Sequence, residues 1–219
     1  MSERESQQRF RLAPNVRQIL LVRHGAAQGQ DTHVNPEPQA HNDPLLTADG
    51  LAQARALADY LAPEPLSALF TSALRRTAQT AAPLAEKAGL KPVALADLNE
   101  VHMGEWEHGE FEIRLRASDP TCLRVFSEER WDVIPGAETR EGFEARILRG
   151  IRHAAESIAG GTSAVVVSHA GTIGTLCALV TGSRGFAFMP PDNASISRLL
   201  VREDGSLSLR SFNETPHLR

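Results

Sequence analysis

Short apolar runs alternate with amphipathic stretches along most of this chain. Continuous apolar residues predict buried strands at 18–22, 68–71 and 164–168, with a fourth strand at 92–98. Apolar residues at helical spacing predict helices that begin near Thr47, near Ser72 and near Phe143. The segments 196–201 and 207–211 read as a final hairpin, and residues 26–46, rich in Gly, Pro and Asn, read as a long loop.

This order of elements predicts an α/β fold, a three-layer sandwich in which helices cover both faces of a mostly parallel central sheet. A length of 219 residues, 42% of them hydrophobic, fits one domain, which we assign to residues 17–212. Residues 1–16 are expected to form a flexible N-terminal arm and 213–219 a tail. Residues at about 100–138 surround two tryptophans with charged helical pieces and are expected to form a lid-like excursion.

Two of the predicted strands end in the same way, on a histidine with a glycine close behind it. Arg23, His24 and Gly25 follow the first strand, and His169 follows Ser168 at the end of a later one. In parallel sheets, ligands bind beyond the carboxyl ends of the strands. The matching positions therefore indicate one site that contains both histidines.

Arginine and glutamate follow the other two strands. Arg75 and Arg76 stand at a predicted helix start, where the helix dipole disfavours cations, so binding of a phosphate would explain them. Of the two, Arg75 is expected to be the solvated one. Glu100 follows the strand at 92–98, and a carboxyl group beside a phosphate suits a general acid. Together these residues predict phosphoryl chemistry with a histidine nucleophile.

Charge and cysteine content restrict the partners that the chain can attract. The formal net charge is −4, from 23 basic and 27 acidic residues, which gives no long-range attraction to nucleic acid or to an anionic membrane. Two cysteines make no disulfide framework, and no spacing typical of a metal site occurs. We expect a cytoplasmic protein without a cofactor or metal, acting on a small phosphorylated substrate, with a homodimer favoured only by base rate.

Six segments, in order, resemble the histidine phosphatase superfamily, the phosphoglycerate mutase-like proteins. They are LVRHG at 21–25, LTADGLAQA at 46–54, TSALRRTAQTA at 71–81, LNEVHMGEWE at 98–107, IPGAET at 134–139 and VVVSHAGTI at 165–173. The resemblance implies a phosphohydrolase of the phosphatase-type branch that needs no metal. It implies that His24 is the nucleophile, that Arg23, Arg76 and His169 complete the phosphate pocket, and that Glu100 is the general acid and base.

Some positions depart from the family pattern. Ala26 and Ala27 follow RHG, and His108 stands where the family usually has Gly. Gln28 and Gln30 are the nearest equivalents of an Asn that often touches the phosphate. We include Gly25, Gln30 and His102 among the candidate substrate contacts; His33 and His41 are expected on the loop surface, and Asp192–Ser195 as structural support near the site.

Alternative functions remain open at this level. Phosphoglycerate mutase-type transfer uses the same residues, and arginines at 114, 116 and 130 could hold a second anionic group of a substrate. Ser168, Asp192 and His217 follow the residue order of some acyl hydrolases, although the glycines of a nucleophile elbow are missing. A phosphate-binding module without catalysis is the third alternative. The substrate itself is not specified by the sequence.

Overall fold

A six-stranded sheet forms the centre of the computed structural model, which describes residues 10–29 and 40–219. The strands are β1 Val16–Arg23, β2 Leu66–Thr71, β3 Val93–Ala94, β4 Ser163–Ser168, β5 Ile196–Arg202 and β6 Leu207–Glu214. The helices are α1 Ala48–Leu61, α2 Arg75–Ala88, α3 Glu110–Arg116, α4 Pro120–Glu128, α5 Arg140–Glu156 and α6 Ala170–Thr181.

The sheet has the strand order β3-β2-β4-β1-β5-β6. The first four strands in this order are parallel, and β5 pairs antiparallel with both β1 and β6. In the register of β1 with β4, Arg23 lies opposite Ser168. The residues that follow these two strands therefore emerge side by side at one edge of the sheet.

Helices cover both faces of the sheet, which confirms the predicted three-layer α/β fold. Alternate side chains of β1 enter two separate cores, because successive strand residues point to opposite faces. Ile19 and Leu21 pack with Ile147 of α5 and Leu176 of α6 in one core. Leu20 and Val22 pack on the opposite face with the apolar stripes of α1 and α2. None of these helices, nor any other in the described part of the chain, is long and apolar enough to cross a membrane.

Thr47, near which the first helix was predicted to begin, caps α1, and a glycine ends α2. Thr47 caps α1 by accepting a hydrogen bond from the Gly50 N–H at 3.1 Å. Gly89 ends α2 at φ 64°, a left-handed conformation that glycine adopts without steric cost. Both interactions are local, since each depends on residues within one turn of the helix end.

Residues 100–138, for which an excursion was predicted, contain short helices and no strand. Trp106, Cys122, Val125 and Ile134 form a small core of their own beside the main sheet. Trp106 is only 3% exposed, so the first of the two tryptophans is a packing residue of this segment. This segment stands over the carboxyl ends of the strands and supplies one wall of the cavity described below.

Two expected boundaries differ from the structure. The strand predicted at 92–98 is reduced to Val93–Ala94, because residues 96–98 turn into a 3₁₀ helix that brings Asn99 and Glu100 over the sheet edge. The tail expected at 213–219 is docked: β6 continues to Glu214, and the His217 ring stacks on Tyr60 of α1 with 5.4 Å between centroids.

Candidate active site

His24 and His169 meet at the carboxyl ends of β1 and β4. Their ring centroids are 5.3 Å apart, with the planes inclined at 60°. Both side chains are buried, His24 at 9% exposure and His169 at 0%. The adjacent parallel strands thus bring together two residues that are 145 positions apart in the sequence, as the matching strand ends predicted.

His24 is held with one ring nitrogen fixed. Nδ1 lies 2.7 Å from the carbonyl oxygen of Gly25, which can only accept, so Nδ1 carries the hydrogen. This leaves Nε2 with its lone pair. Burial, and next the positive charge of Arg76, lower the pKa of His24 to about 3, so the ring is neutral at ordinary pH. A neutral imidazole with a fixed lone pair is the form that attacks an electrophile.

Gly25 is needed for close packing behind His24. A Cβ at this position would lie 2.5 Å from the carbonyl oxygen of Gly50, at the first turn of α1. The Gly25 N–H donates to Thr80 Oγ1 at 3.0 Å, and its carbonyl accepts from His24. Both polar groups are therefore engaged by the protein. This geometry supports a positioning role through His24, in place of the substrate contact expected from the sequence.

His169 is anchored by a hydrogen bond between its ring and Ser72. Its Nε2 is 2.8 Å from Ser72 Oγ, whereas Nδ1 is buried with no hydrogen-bond partner among the described residues. Burial, followed by the charge of Arg76, holds the pKa of His169 well below its usual value. Nδ1 is therefore the ring atom of His169 that the described part of the protein leaves without a hydrogen bond.

Arg23 and Arg76 place two cations beside His24. Arg23 donates through Nη1 to the carbonyl of Pro191 at 2.6 Å, and its Nε has no partner among the described residues. Arg76 donates through Nη1 to the carbonyl of Asn42 at 2.8 Å. Burial lowers the pKa of both guanidinium groups, and the charge of Glu100 opposes that shift. Each group keeps N–H donors for an oxyanion, since guanidinium has five.

Arg75 and Arg76 separate as the sequence predicted. The side chain of Arg75 is 47% exposed and pairs with Asp43 through Nε at 3.2 Å, whereas that of Arg76 is 9% exposed and lines the cavity. Asp43 also faces Arg76 at 3.7 Å. Its carboxylate therefore offsets part of the charge conflict that two arginines create at the start of α2.

Glu100 lies at the amino terminus of α6, where its carboxylate accepts backbone hydrogen bonds. The Gly171 N–H donates to Oε2 at 2.9 Å, and the Thr172 N–H donates to Oε1 at 3.0 Å. A third donor is the N–H of Val101, at 3.0 Å. The first turn of α6 thus fixes the carboxyl group at the wall of the same cavity that contains His24.

A cavity of about 380 Å³ opens above this cluster. Arg23, His24 and Arg76 form its base, and Glu100 stands at its wall. Its walls come from the loop after β1 and from the excursion, and include Gln28, His41, Asn42, Met103, Trp106, Glu107, His108, Phe111, Glu112 and Asn193. Four of the five predicted catalytic residues thus line one cavity, and the fifth, His169, contacts His24 directly beneath it.

The remaining candidates are placed differently from one another. Gln30 and His33 lie outside the described residues. His102 accepts a hydrogen bond from the Gly104 N–H through Nδ1 at 3.1 Å and packs edge-on against His41. His41 lines the cavity, whereas His102 does not. His41 had been expected on the loop surface, and that expectation is wrong: its Nε2 is 3.0 Å from the carbonyl of Glu100.

The arrangement required for acyl hydrolysis is absent. Ser168 Oγ donates to the carbonyl of Leu98 at 2.8 Å inside the core. His217 Nε2 is 2.9 Å from the carbonyl of Ala194, and Asp192 accepts from the Asn213 side chain. Each member of the suggested triad is engaged with a different partner, so that alternative is not supported.

Several supporting residues could not be recognised from the sequence. Asn42 and Asp43 hold Arg76 from a loop that has no periodic pattern, and Thr80 reaches Gly25 from the second turn of α2. Asn193 donates to the carbonyl of His24 at 3.0 Å, and the N–H of Ala194 donates to that of Arg23 at 3.0 Å. The segment Asp192–Ser195, expected to support the site, therefore fixes the backbone of Arg23 and His24.

Sheet topology and the histidine–arginine cluster together define a phosphoglycerate mutase-like α/β protein. The chain belongs to the histidine phosphatase superfamily (branch 1), whose sequence model matches residues 19–215. It is 28% identical to a probable phosphoglycerate mutase GpmB of Yersinia enterocolitica, over 92% of this chain and 94% of that protein. It is 26% identical to a putative phosphoserine phosphatase 2 of Hydrogenobacter thermophilus, over 93% and 98%.

Solved structures show the same fold. A mycobacterial glucosyl-3-phosphoglycerate phosphatase superposes with a TM-score of 0.75 at 27% identity, covering 91% of this chain and all of that one. A phosphoglycerate mutase from Bacillus anthracis gives a TM-score of 0.77 at 22% identity, covering 94% and 96%. The relatives include both phosphatases and mutases, so family membership alone leaves the reaction to be argued from the site.

Proposed function

We propose that this protein is a phosphomonoester hydrolase that acts through a phosphohistidine at His24. The observation that carries the proposal is the state of that side chain: it is neutral, its Nδ1 is fixed by the Gly25 carbonyl, and it stands beside two arginines. A phosphoryl group needs a nucleophile and charge stabilisation on its oxygens. Both are supplied by residues that touch the same cavity.

In the first step, Nε2 of His24 forms a bond to phosphorus while the bond between phosphorus and the leaving oxygen breaks. Arg23, Arg76 and His169 stabilise the negative charge on the three remaining oxygens. The carboxyl group of Glu100 gives its proton to the departing alkoxide. The products of this step are an alcohol and a phosphorylated His24.

In the second step, the carboxylate of Glu100 removes a proton from water, whose oxygen attacks phosphorus. The bond between phosphorus and Nε2 breaks, inorganic phosphate leaves, and His24 returns to its neutral state. The two guanidinium groups supply the cationic charge in both steps, so we propose that neither a metal nor a cofactor is needed. Activity is accordingly expected to be unchanged after treatment with EDTA.

The proposal is tested by trapping the intermediate. The protein is mixed with a ³²P-labelled phosphomonoester and quenched in base, which preserves a phosphorus–nitrogen bond. We expect label on the protein that is released by acid. His24→Ala should abolish labelling and lower kcat by ~10³-fold or more, whereas His153→Ala, at an exposed histidine of α5, should do neither. Labelling that survives His24→Ala would show that another residue is the nucleophile.

Mutase-type transfer is the second candidate, because a probable phosphoglycerate mutase matches 92% of this chain. The two reactions differ in the fate of the phosphoryl group, which goes either to water or back to the substrate. Parallel measurement of inorganic phosphate and of 3- to 2-phosphoglycerate conversion separates them. We expect phosphate release to dominate; efficient isomerisation with negligible phosphate release would replace the hydrolase proposal by the mutase.

A further inference from the structure

The walls of the cavity above His24 carry a charge opposite to that of its base. Among the described residues that line it, the only arginines or lysines are Arg23 and Arg76, both beside the nucleophile. The walls contain Glu107 and Glu112 in addition to Glu100. The positive charge is therefore confined to the place where the phosphoryl group binds, and the space for the rest of the substrate has acidic walls.

The sequence of the wall segments explains this distribution. The described residues 26–29, 40–54 and 92–113 contain no lysine or arginine, whereas 40–54 contains two acidic residues and 92–113 contains six. Glu107 is fixed on the wall, since its carboxylate accepts from the N–H groups of Asn42 and Met103, each at 2.8 Å. Its charge acts on both Arg76 and His41. Glu112 is an exposed side chain at the rim.

His41, which also lines the wall, adds no positive charge to offset these carboxylates. Burial lowers the pKa of His41, so its ring is neutral at pH 7. The Nε2 atom of His108 is buried and has no hydrogen-bond partner among the described residues, and this residue also lines the cavity.

The arginines of the excursion are engaged elsewhere. Arg114 pairs with Glu110 at 2.7 Å and with Asp119 at 3.1 Å, and Arg130 binds Asp132. Arg116 is exposed on α3 and does not line the cavity. The expectation that these arginines could hold a second anionic group of a substrate is therefore not supported by their positions.

We infer that the substrate is a phosphomonoester whose remaining part carries no second anion and presents hydroxyl or amino groups to the acidic wall. A carboxylate or second phosphate in this space would face Glu107 and Glu112 without a cation to pair with, and like charges held close together disfavour binding. Phe111, which is half-buried in the same wall, offers apolar surface for a carbon skeleton. This inference rests on the proposed hydrolase function for the position of the phosphoryl group.

A matched pair of substrates tests the inference. Glycerol 3-phosphate and 3-phosphoglycerate differ only in a hydroxymethyl group that is replaced by a carboxylate. We expect kcat/KM to be at least ~10-fold higher for glycerol 3-phosphate, and O-phosphoethanolamine to be preferred over O-phosphoserine in the same way. Equal rates, or a preference for the carboxylated members, would overturn the inference.

Charge reversal at the rim identifies the cause of the preference. Glu112→Lys should reduce the ratio between the matched substrates by at least ~3-fold, by improving 3-phosphoglycerate. Glu203→Lys makes the same change in the turn between β5 and β6, at the opposite end of the sheet, and should leave the ratio unchanged. A ratio that changes equally in both variants would show that the wall does not set it.

Affinity measurements test this inference independently of the proposed hydrolase activity. The affinities of the two matched ligands are measured by calorimetry on His24→Ala, which cannot turn them over. Tighter binding of glycerol 3-phosphate supports the inference even if the native protein hydrolyses nothing, in which case only the hydrolase proposal fails. Hydrolysis of p-nitrophenyl phosphate together with tighter binding of 3-phosphoglycerate would overturn the inference and keep the hydrolase.

Discussion

At the scale of single residues, Gly171 shows how the absence of a side chain fixes a functional group. A Cβ on Gly171 would lie 2.5 Å from Oε1 of Glu100 and 3.1 Å from its carboxyl carbon. The same residue donates its N–H to the other carboxylate oxygen. Glycine is therefore required because Glu100 packs directly against the first turn of α6, and any larger residue displaces the carboxyl group from its position in the cavity.

Gly171→Ala is expected to damage the proton transfer assigned to Glu100 while His24 stays in place. The rate of phosphoenzyme formation should fall by about 10²-fold with an alkyl phosphate, the order contributed by general acid catalysis. With p-nitrophenyl phosphate it should fall far less, because the phenolate leaves without a proton. Rapid-quench labelling with each substrate measures both rates.

Glu100→Gln serves as the reference for Gly171→Ala and should give the same dependence on the leaving group. Circular dichroism confirms that both variants are folded. An equal loss with both substrates would indicate a general disturbance of the site. Unchanged rates with both would remove the positioning role of Gly171.

At the scale of elements, the start of α2 is completed by residues from outside the helix. Leu74 precedes the helix and offers no side-chain cap. Asp43 instead accepts from the Arg75 N–H at 2.8 Å, and Asn99 accepts from the Ala73 N–H at 2.8 Å. Asp43 thus links a loop to the helix that presents Arg76, and its contribution is both a cap and a counter-charge.

Two substitutions of Asp43 separate the cap from the charge. Asp43→Ala removes both and should lower the free energy of unfolding by about 1–2 kcal/mol, the usual range for a lost helix cap. Asp43→Asn keeps an oxygen acceptor for the Arg75 N–H and should lose less than about half of that amount. Urea denaturation followed by circular dichroism measures both values. Equal losses would mean that the ion pairs, rather than the cap, stabilise the start of the helix.

The elements that the sequence predicted best are those determined by local pattern. β1 and β4 are continuous apolar runs buried on both faces, and the histidines that follow them could be placed at one sheet edge from the parallel order alone. β3 was overestimated because Leu95, Ala96 and Leu98 are apolar, yet Ala96–Leu98 forms a 3₁₀ helix just before Glu100. His41 and Asp43 were missed as site residues because a loop without periodicity is placed only by long-range contacts.

At the scale of the whole molecule, the net charge of −4 hides a strong local imbalance. His24, His169 and Arg76 are buried at one edge of the sheet beside the half-buried Arg23, and the histidines remain neutral because burial, followed by the charge of Arg76, lowers their pKa values. A protein that keeps histidines neutral in its folded state must take up protons when it unfolds at mildly acidic pH. The two histidines of the site should therefore make the free energy of unfolding of the whole domain depend on pH.

The stability of the unliganded protein is expected to fall as the pH decreases from about 7 towards 3. The pKa of His24 is about 3 in the folded state, compared with 6.5 for an unperturbed histidine, so between these values the unfolded chain binds a proton that the folded chain excludes. The free energy of unfolding consequently rises with pH across this window, with a limiting slope of about 1.4 kcal/mol per pH unit for each such histidine. His169 contributes with the same sign, since its pKa is also lowered.

Chemical denaturation at half-unit pH steps measures how steeply the free energy of unfolding depends on pH. His24→Gln should reduce it by up to one proton, whereas His153→Gln, at an exposed histidine, should not alter it; a native slope that matches the one of His24→Gln would show that His24 is readily protonated in the folded protein.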